Sequence, residues 1–326
     1  MSTTKVHSLL AGTALCLLAA IAAPAQAQTY PPQGRPIDII VPYPPGGGTD
    51  TAARMMAAGL EKELHATVQV INRPGAASQV GMTALVQSKP DGLTIAYAVL
   101  PAVITSYLDP RRRAIYTRKS FAPIATHYIA SMMLAVRANS PYKDLKDLVA
   151  AARKSPGEIN VSDSGLLGTP NLTTLELGHV AGVRFSSVHF PGGPPSVTAL
   201  LGGQVQVLAG GISDGLPYMR AGKFRILGVA ADKPDPDMPN VPTMRSQGYN
   251  VVSAAIGAIV APSGTPPSII HTLTVAVKNV VDDPAQAAKL QAFGSVPYYN
   301  DPAATEKLWA DMEQRVSPLL ATITKK

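Results

Sequence analysis

Cysteine is all but missing from this chain. Its single copy, Cys16, lies inside an N-terminal apolar stretch, so everything beyond Ala27 does without disulfides or thiol chemistry. Cys16 is no lipid-attachment site either, because that calls for a small residue just before it and Leu15 is large. Bilayer-spanning runs are also lacking: Leu9 to Ala23 is too short for a comfortable span, and no later apolar run is long enough. With Lys5 before it and Ala25-Gln26-Ala27 after it, that stretch has the form of an export signal removed near Ala27. Residues 1–27 are therefore expected to be a signal peptide and the mature chain, from Gln28, to be exported. Without disulfides the core alone must hold the fold, and about 300 residues bury enough apolar surface to do so.

Acidic side chains are outnumbered. The formal charge is +7, or +6 once Lys5 leaves with the signal. The basic residues are scattered, apart from Arg111-Arg112-Arg113 with Arg118 and Lys119. That cluster lacks the interleaved aromatics that stack bases, so it reads as a solvated loop and no nucleic-acid partner is expected. The excess biases the field toward small anions instead. His65, His127, His179 and His189 show no metal-ligand spacing, so no metal and no cofactor are expected.

Strand and helix patterns alternate along the chain, which predicts an α/β fold with largely parallel sheets flanked by helices. The predicted strands are 37–42, 68–71, 94–98, 131–136, 159–163, 186–190, 204–209, 224–230 and 252–260. The predicted helices are 50–64, 79–87, 143–153, 170–181, 194–201, 214–221, 266–281, 284–291 and 302–322. The chain exceeds the usual size of a single core, so two lobes are expected.

Four strand-to-helix loops are rich in small residues. In the first, Tyr43 to Asp50, Gly46-Gly47-Gly48 lets backbone N–H groups point into a cavity, and the helix behind adds its positive dipole end. A nucleotide loop would end in Gly-Lys-Ser/Thr; here Thr49-Asp50 follows the glycines, and no Gly-x-Gly-x-x-Gly fingerprint is completed. One small carboxylate suits the loop better, with Asp50 capping the first helical N–H groups. The second loop is Asn72 to Ser78. Two such loops at strand carboxyl ends of one sheet face one crevice. The third runs from Ser162 to Pro170, with Thr169 read as a helix cap. In the fourth, His189 to Pro194, Phe190 is either a pocket wall or a strand-end core residue. Gly211-Ile212-Ser213-Asp214-Gly215 matches the Gly-x-Ser-x-Gly of a serine hydrolase, which makes Ser213 a rival nucleophile. The order then fails, because the one later histidine, His271, falls inside a predicted helix.

Taken in order, these segments resemble the substrate-binding proteins of tripartite tricarboxylate transporters, also called Bug receptors. Tyr43 to Asp50 with Ala53-Arg54 is similar to the first signature, and Val70 to Ala76 with Gly81 to the second. Pro90 to Thr94, Phe121 to Ile124, Leu201 to Val205, Ala221 to Lys223, Val241 to Thr243 and Ala261 to Pro266 follow in the family's order. The resemblance implies a two-lobed periplasmic binding protein of type II. Lobe one would comprise 28–128 and 229–326, and lobe two 129–228. It implies a non-enzymatic receptor that binds a small organic carboxylate and delivers it to membrane permease subunits, or else a ligand sensor without transport. The implied ligand contacts are Tyr43, Gly46, Gly47, Gly48, Thr49, Asp50, Ala76, Ala77 and Ser78 in lobe one. In lobe two they are Ser164, Gly165, Gly168, Thr169, Phe190 and Gly192. The chain departs from the pattern at Leu167, at Asn171 where histidine is common, at His189-Phe190-Pro191-Gly192, and at Gly210 where aspartate is common. Fewer polar groups at Phe190, Pro191 and Gly210 lead to the expectation of an aromatic or long-chain acid.

Overall fold

The computed structural model describes residues 30–235 and 238–324; the expected export signal lies outside them. The chain opens as three strand–helix units. Strand β1 (Ile37–Val41) leads into helix α1 (Gly48–Leu64), β2 (Val68–Asn72) into α2 (Gln79–Val86), and β3 (Thr94–Leu100) into α3 (Ala102–Leu108). Helix α1 buries the stripe Ala52, Ala53, Met56 and Leu60, the spacing that a helix needs to cover one sheet face. Strand β1 pairs in parallel with β2 and β3, so the loops after β1 and β2 emerge at one edge. The spacing predicts no helix over 102–108, where Val103, Ile104 and Thr105 continue the β-branched run of β3. The helix forms because Val103 and Ile104 are fully buried, and tertiary burial overrides propensity.

Strand β4 (Phe121–Arg137) is 17 residues long, far more than the predicted 131–136. Pro123 cannot donate to a ladder, so the pattern before it does not read as strand. The chain accommodates it with a register shift between Pro123 and Ala125. The second group of elements follows: α4 (Leu145–Lys154), β5 (Asn160–Asp163), α5 (Thr169–Ala181), β6 (Ser186–His189), α6 (Gly193–Leu201), β7 (Val207–Gly211), α7 (Ile212–Arg220) and β8 (Phe224–Val229). The chain then returns with β9 (Ala254–Pro262), α8 (Pro267–Asp282), α9 (Pro284–Ala292), β10 (Val296–Pro297) and α10 (Pro302–Thr324).

These strands make two sheets that share β4. One has the order β2-β1-β3-β9-β4-β10, with β9 and β10 running against the rest. The other is β6-β5-β7-β4-β8, with β4 running against the rest. Strand β4 changes partner between Ser131, opposite Ala254 of β9, and Met132, opposite Gly211 of β7. Helices cover both faces of both sheets, giving four apolar cores, one of which takes in Leu167 and Leu172 of the second lobe beside first-lobe residues. In the first lobe Trp309 of α10 is fully buried, stacks on Phe121 at 5.4 Å and donates its Nε1–H to Tyr107. Beyond β8, Met238, Val241, Met244 and Val251 still pack in the cores of the second lobe.

Candidate functional site

A cavity of about 80 Å³ lies between the lobes, room for a handful of waters or a ligand of that size. Four helices begin at it. Their N-caps are Gly47 for α1, Gly168 for α5, Gly192 for α6 and Gly211 for α7, and no cap side chain occupies the first-turn N–H groups of any of them. The residues just after three of these caps, Gly48, Thr169 and Gly193, line the cavity, together with Gly47 and Gly211 themselves. Uncapped helix N-termini present N–H donors and the positive ends of peptide dipoles, although Pro170 in α5 and Pro194 and Pro195 in α6 have no N–H to give. Lysine, arginine and histidine do not appear among the lining residues. The site can therefore hold negative charge with backbone alone.

The first loop is built by Asp50. Its carboxylate is buried, accepts Gly46 N–H at 2.9 Å and Asn72 Nδ2–H at 2.8 Å, and pairs with Arg54 through both oxygens at 3.0 Å. Burial alone raises the Asp50 carboxyl, but the Arg54, Gly46 and Asn72 hydrogen bonds outweigh it and hold it below the usual range. Asp50 thus organises the glycine turn from behind and does not cap α1 as the sequence reading expects. Gly46, with φ 82°, supplies the left-handed turn that a side chain would strain. Gly47, Gly48, Thr49 and Tyr43 face the cavity. Thr49 Oγ1 meets the Tyr128 hydroxyl at 3.0 Å. Burial pushes the Tyr128 hydroxyl up to about 12, against the lowering effect of Thr49.

On the second lobe, the loop after β5 is held by Asp163, which accepts Gly165 N–H at 2.9 Å, Asn171 Nδ2–H at 3.0 Å, and lies 2.8 Å from His189 Nδ1. Asn171 Oδ1 in turn accepts Leu167 N–H at 3.0 Å, so this departure from the family pattern is a working part of the loop. Ser164 and Thr169 line the cavity, and buried Thr169 Oγ1 has no hydrogen-bond partner. Thr169 is the first residue of α5 rather than its cap, a role taken by Gly168.

Of the expected contacts, Tyr43, Gly47, Gly48, Thr49, Ser164 and Thr169 come together at the cavity. Ala76, Ala77, Gly165 and Phe190 line a separate hollow at the lip of the cleft, with Arg112 and Pro191. Ala76, Ala77 and Ser78 hold φ of 45°, 45° and 83°, a strained run for side-chain-bearing residues. Arg112 secures it: the guanidinium donates to Ala76 O and to Gln79 Oε1, and Gln79 Nε2–H donates to Arg112 O. Arg112 is therefore not part of a plain solvated loop. Gly192 is where the lobes touch, since a Cβ there would overlap Pro44. The sequence reading misses Tyr128, Met132, Gly193, Pro194 and Asp214, all of which line the cavity. Ser213 lines it too, but as the second residue of α7 with no left-handed turn, unlike the strained nucleophile elbow.

Burial pushes the Asp214 carboxyl up to about 6, partly offset by the Gly211 N–H it accepts at 3.1 Å.

Two sheets sharing one strand, flanked by helices and closing on a cavity between them, define a two-lobed periplasmic binding protein. More particularly, the chain belongs to the tripartite tricarboxylate transporter family receptors, whose family model matches residues 52–324. It is similar to the UPF0065 protein in the gbd 5' region of Cupriavidus necator, at 34% identity over 89% of this chain and 87% of that protein. Protein BugT of Bordetella pertussis is 31% identical over 91% of each chain. Among solved structures, MatC from Rhodopseudomonas palustris with bound malate superimposes with a TM-score of 0.83 at 27% identity, covering 88% of this chain and 99% of MatC. Among the described residues no helix is long and apolar enough to cross a membrane.

Proposed function

We propose that this protein is a periplasmic, non-enzymatic receptor that seats a short organic carboxylate between its lobes and delivers it to the permease subunits of its transporter. The observation that carries this reading is the set of four glycine-capped helix N-termini around one cavity. A carboxylate there takes the N–H groups of Gly48, Thr169 and Gly193, which no side chain occupies, while the Gly211 N–H already serves Asp214. The malate bound to the similar MatC is a ligand of the size that the cavity admits. Absence of a histidine from the cavity wall favours binding over hydrolysis by Ser213. A sensor without transport would use the same site.

The geometry supports a short acid over the aromatic or long-chain one that the sequence leads to expect. Phe190 and Pro191 face the lip hollow instead of the cavity, and a Cβ on Gly210 would stand 3.0 Å from Asp214 Oδ2, so no apolar gap opens there. The lobe boundaries are also best drawn three residues later than 128 and 25 residues later than 228. The partner change of β4 after Ser131 and the packing of Met244 and Val251 in the second lobe support lobes of 30–131 with 254–324, and 132–253.

Isothermal titration of the mature protein with short mono-, di- and tricarboxylates tests the function. The companion variant is Gly47→Val. A Cβ at Gly47 lies 3.4 Å from Pro194 Cδ, so the added methyls meet the opposite lobe. Affinity is expected to fall about ten- to a hundredfold, with the circular dichroism unchanged. Equal affinity in this variant would sink the site assignment.

A further inference from the structure

We infer that Asp214 makes this receptor selective for carboxylates that also carry a protonated nitrogen, ligands of the amino-acid kind, over dicarboxylates. The inference rests on the reading of the cavity as a carboxylate seat and concerns what the rest of the ligand must be.

Asp214 is the one acidic residue among those lining the cavity, and no lysine, arginine or histidine lines it. Its Oδ2 is used by Gly211 N–H at 3.1 Å. Its Oδ1 makes no hydrogen bond and no ion pair within the described residues. An acid at the third position of a helix ordinarily faces solvent and needs no partner. This one is enclosed on the second lobe, flanked by Gly193 and Gly210, where a Cβ would press on its carboxylate. Ser213, beside it, abuts Gly48 of the opposite lobe, which puts Asp214 within reach of a ligand held by the first loop.

The charge ledger of the cavity follows. The glycine-capped helix ends balance one carboxylate. The remaining charged group is itself an acid, so a ligand's second carboxylate meets a like charge, and one of the two must take up a proton. A ligand ammonium turns the same oxygen into a charge-assisted acceptor. The other titratable residues of the wall are neutral phenols, since burial raises both: Tyr128 faces Asp214, and Tyr43 lies toward Ser78 and Arg112, whose guanidinium stays outside the cavity in the lip hollow. They neither supply a cation nor titrate in the neutral range.

Four-carbon probes isolate the effect: butyrate, succinate, 2-aminobutyrate and 4-aminobutyrate, titrated into the mature wild-type protein at pH 7.5. One of the amino acids is expected to bind at least about tenfold tighter than butyrate or succinate, the scale of one charged hydrogen bond. Asp214→Asn is expected to erase that preference. A second measurement needs no variant. As pH falls from 7.5 to 5, Asp214 takes up its proton, so wild-type affinity for the amino acid drops and that for succinate rises. Tightest binding by succinate or butyrate, or a preference that survives in Asp214→Asn, overturns the inference and leaves the carboxylate receptor standing. No binding by any of the four overturns both.

Discussion

Asp214 pulls stability and binding in opposite directions. In the unfolded chain an aspartate titrates near 4, whereas burial lifts the folded carboxyl to about 6. Between those values the folded protein keeps a proton that the unfolded chain has released. Stability is therefore full below the unfolded pKa, falls as pH rises through the window, and levels off above it. Replacing Asp214 by asparagine, which still accepts Gly211 N–H, is expected to stabilise the unliganded protein at pH 7.5 by about 1–3 kcal/mol in urea titration. At pH 4 the gain should vanish. Asp50 has the opposite sign, because its depressed pKa gives stability above the unfolded value that is lost as pH falls. The difference also explains which residues could be read from the sequence. A glycine run between strand and helix leaves a plain trace, so the cavity-lining Gly47 and Gly48 were legible, with Gly46 as the turn behind them. Asp214 and Tyr128 owe their roles to atoms of the other lobe or of a distant strand, and a short motif at Gly211 to Gly215 suggested a hydrolase instead.

Elements with a clean period were legible, and those bent by tertiary demands were not. Helices α4 and α5 and the strands β5 to β8 lie close to where alternation and spacing put them. Helix α3 hid behind β-branched residues, and the first half of β4 behind Pro123. That hidden half matters for the site, since it carries Tyr128. The ring of Tyr128 lies over its register partner on β9, Gly257, where any Cβ would overlap it. Gly257→Ala is expected to cost about 1–3 kcal/mol by overpacking, measurable by thermal melting, and to displace the phenol from Thr49. Loss of stability with unaltered ligand affinity would detach Tyr128 from the site. His127, next along β4, is held neutral by burial, with its pKa pushed down to about 4 and its Nδ1 2.7 Å from the Tyr97 hydroxyl.

At the scale of the molecule, the lobes meet in two ways: Leu167 and Leu172 of the second lobe pack into a core of the first, where Thr105 Oγ1 donates to Leu167 O at 2.8 Å, and around the cavity glycines take the contact. A Cβ on Gly48 would overlap Ser213, one on Gly192 would overlap Pro44, and one on Gly165 would lie 2.9 Å from that of Ala77. The glycines thus serve twice, as N–H donors and as the spacing that lets the lobes close. A ligand can drive closure only through contacts that the open form lacks. Gly192→Ala, in an extended backbone that alanine tolerates, is expected to leave both lobes folded but hold them apart. Small-angle scattering in saturating ligand should then show no contraction of the radius of gyration, where the wild type contracts.

The shared strand also bears on how the halves are joined. Both chain crossings lie side by side, one within β4 at Ser131–Met132 and one at Ser253–Ala254. They are laced together by Met132 N–H to Ser253 O at 2.9 Å, Ser253 N–H to Ala230 O at 2.9 Å, and Ala230 N–H to Met132 O at 2.8 Å. These three bonds knot the crossings together, and the Thr105–Leu167 bond ties the same two halves elsewhere. If the halves close on a ligand as proposed, the knot confines the bending to the short segments at Ser131–Met132 and Ser253–Ala254.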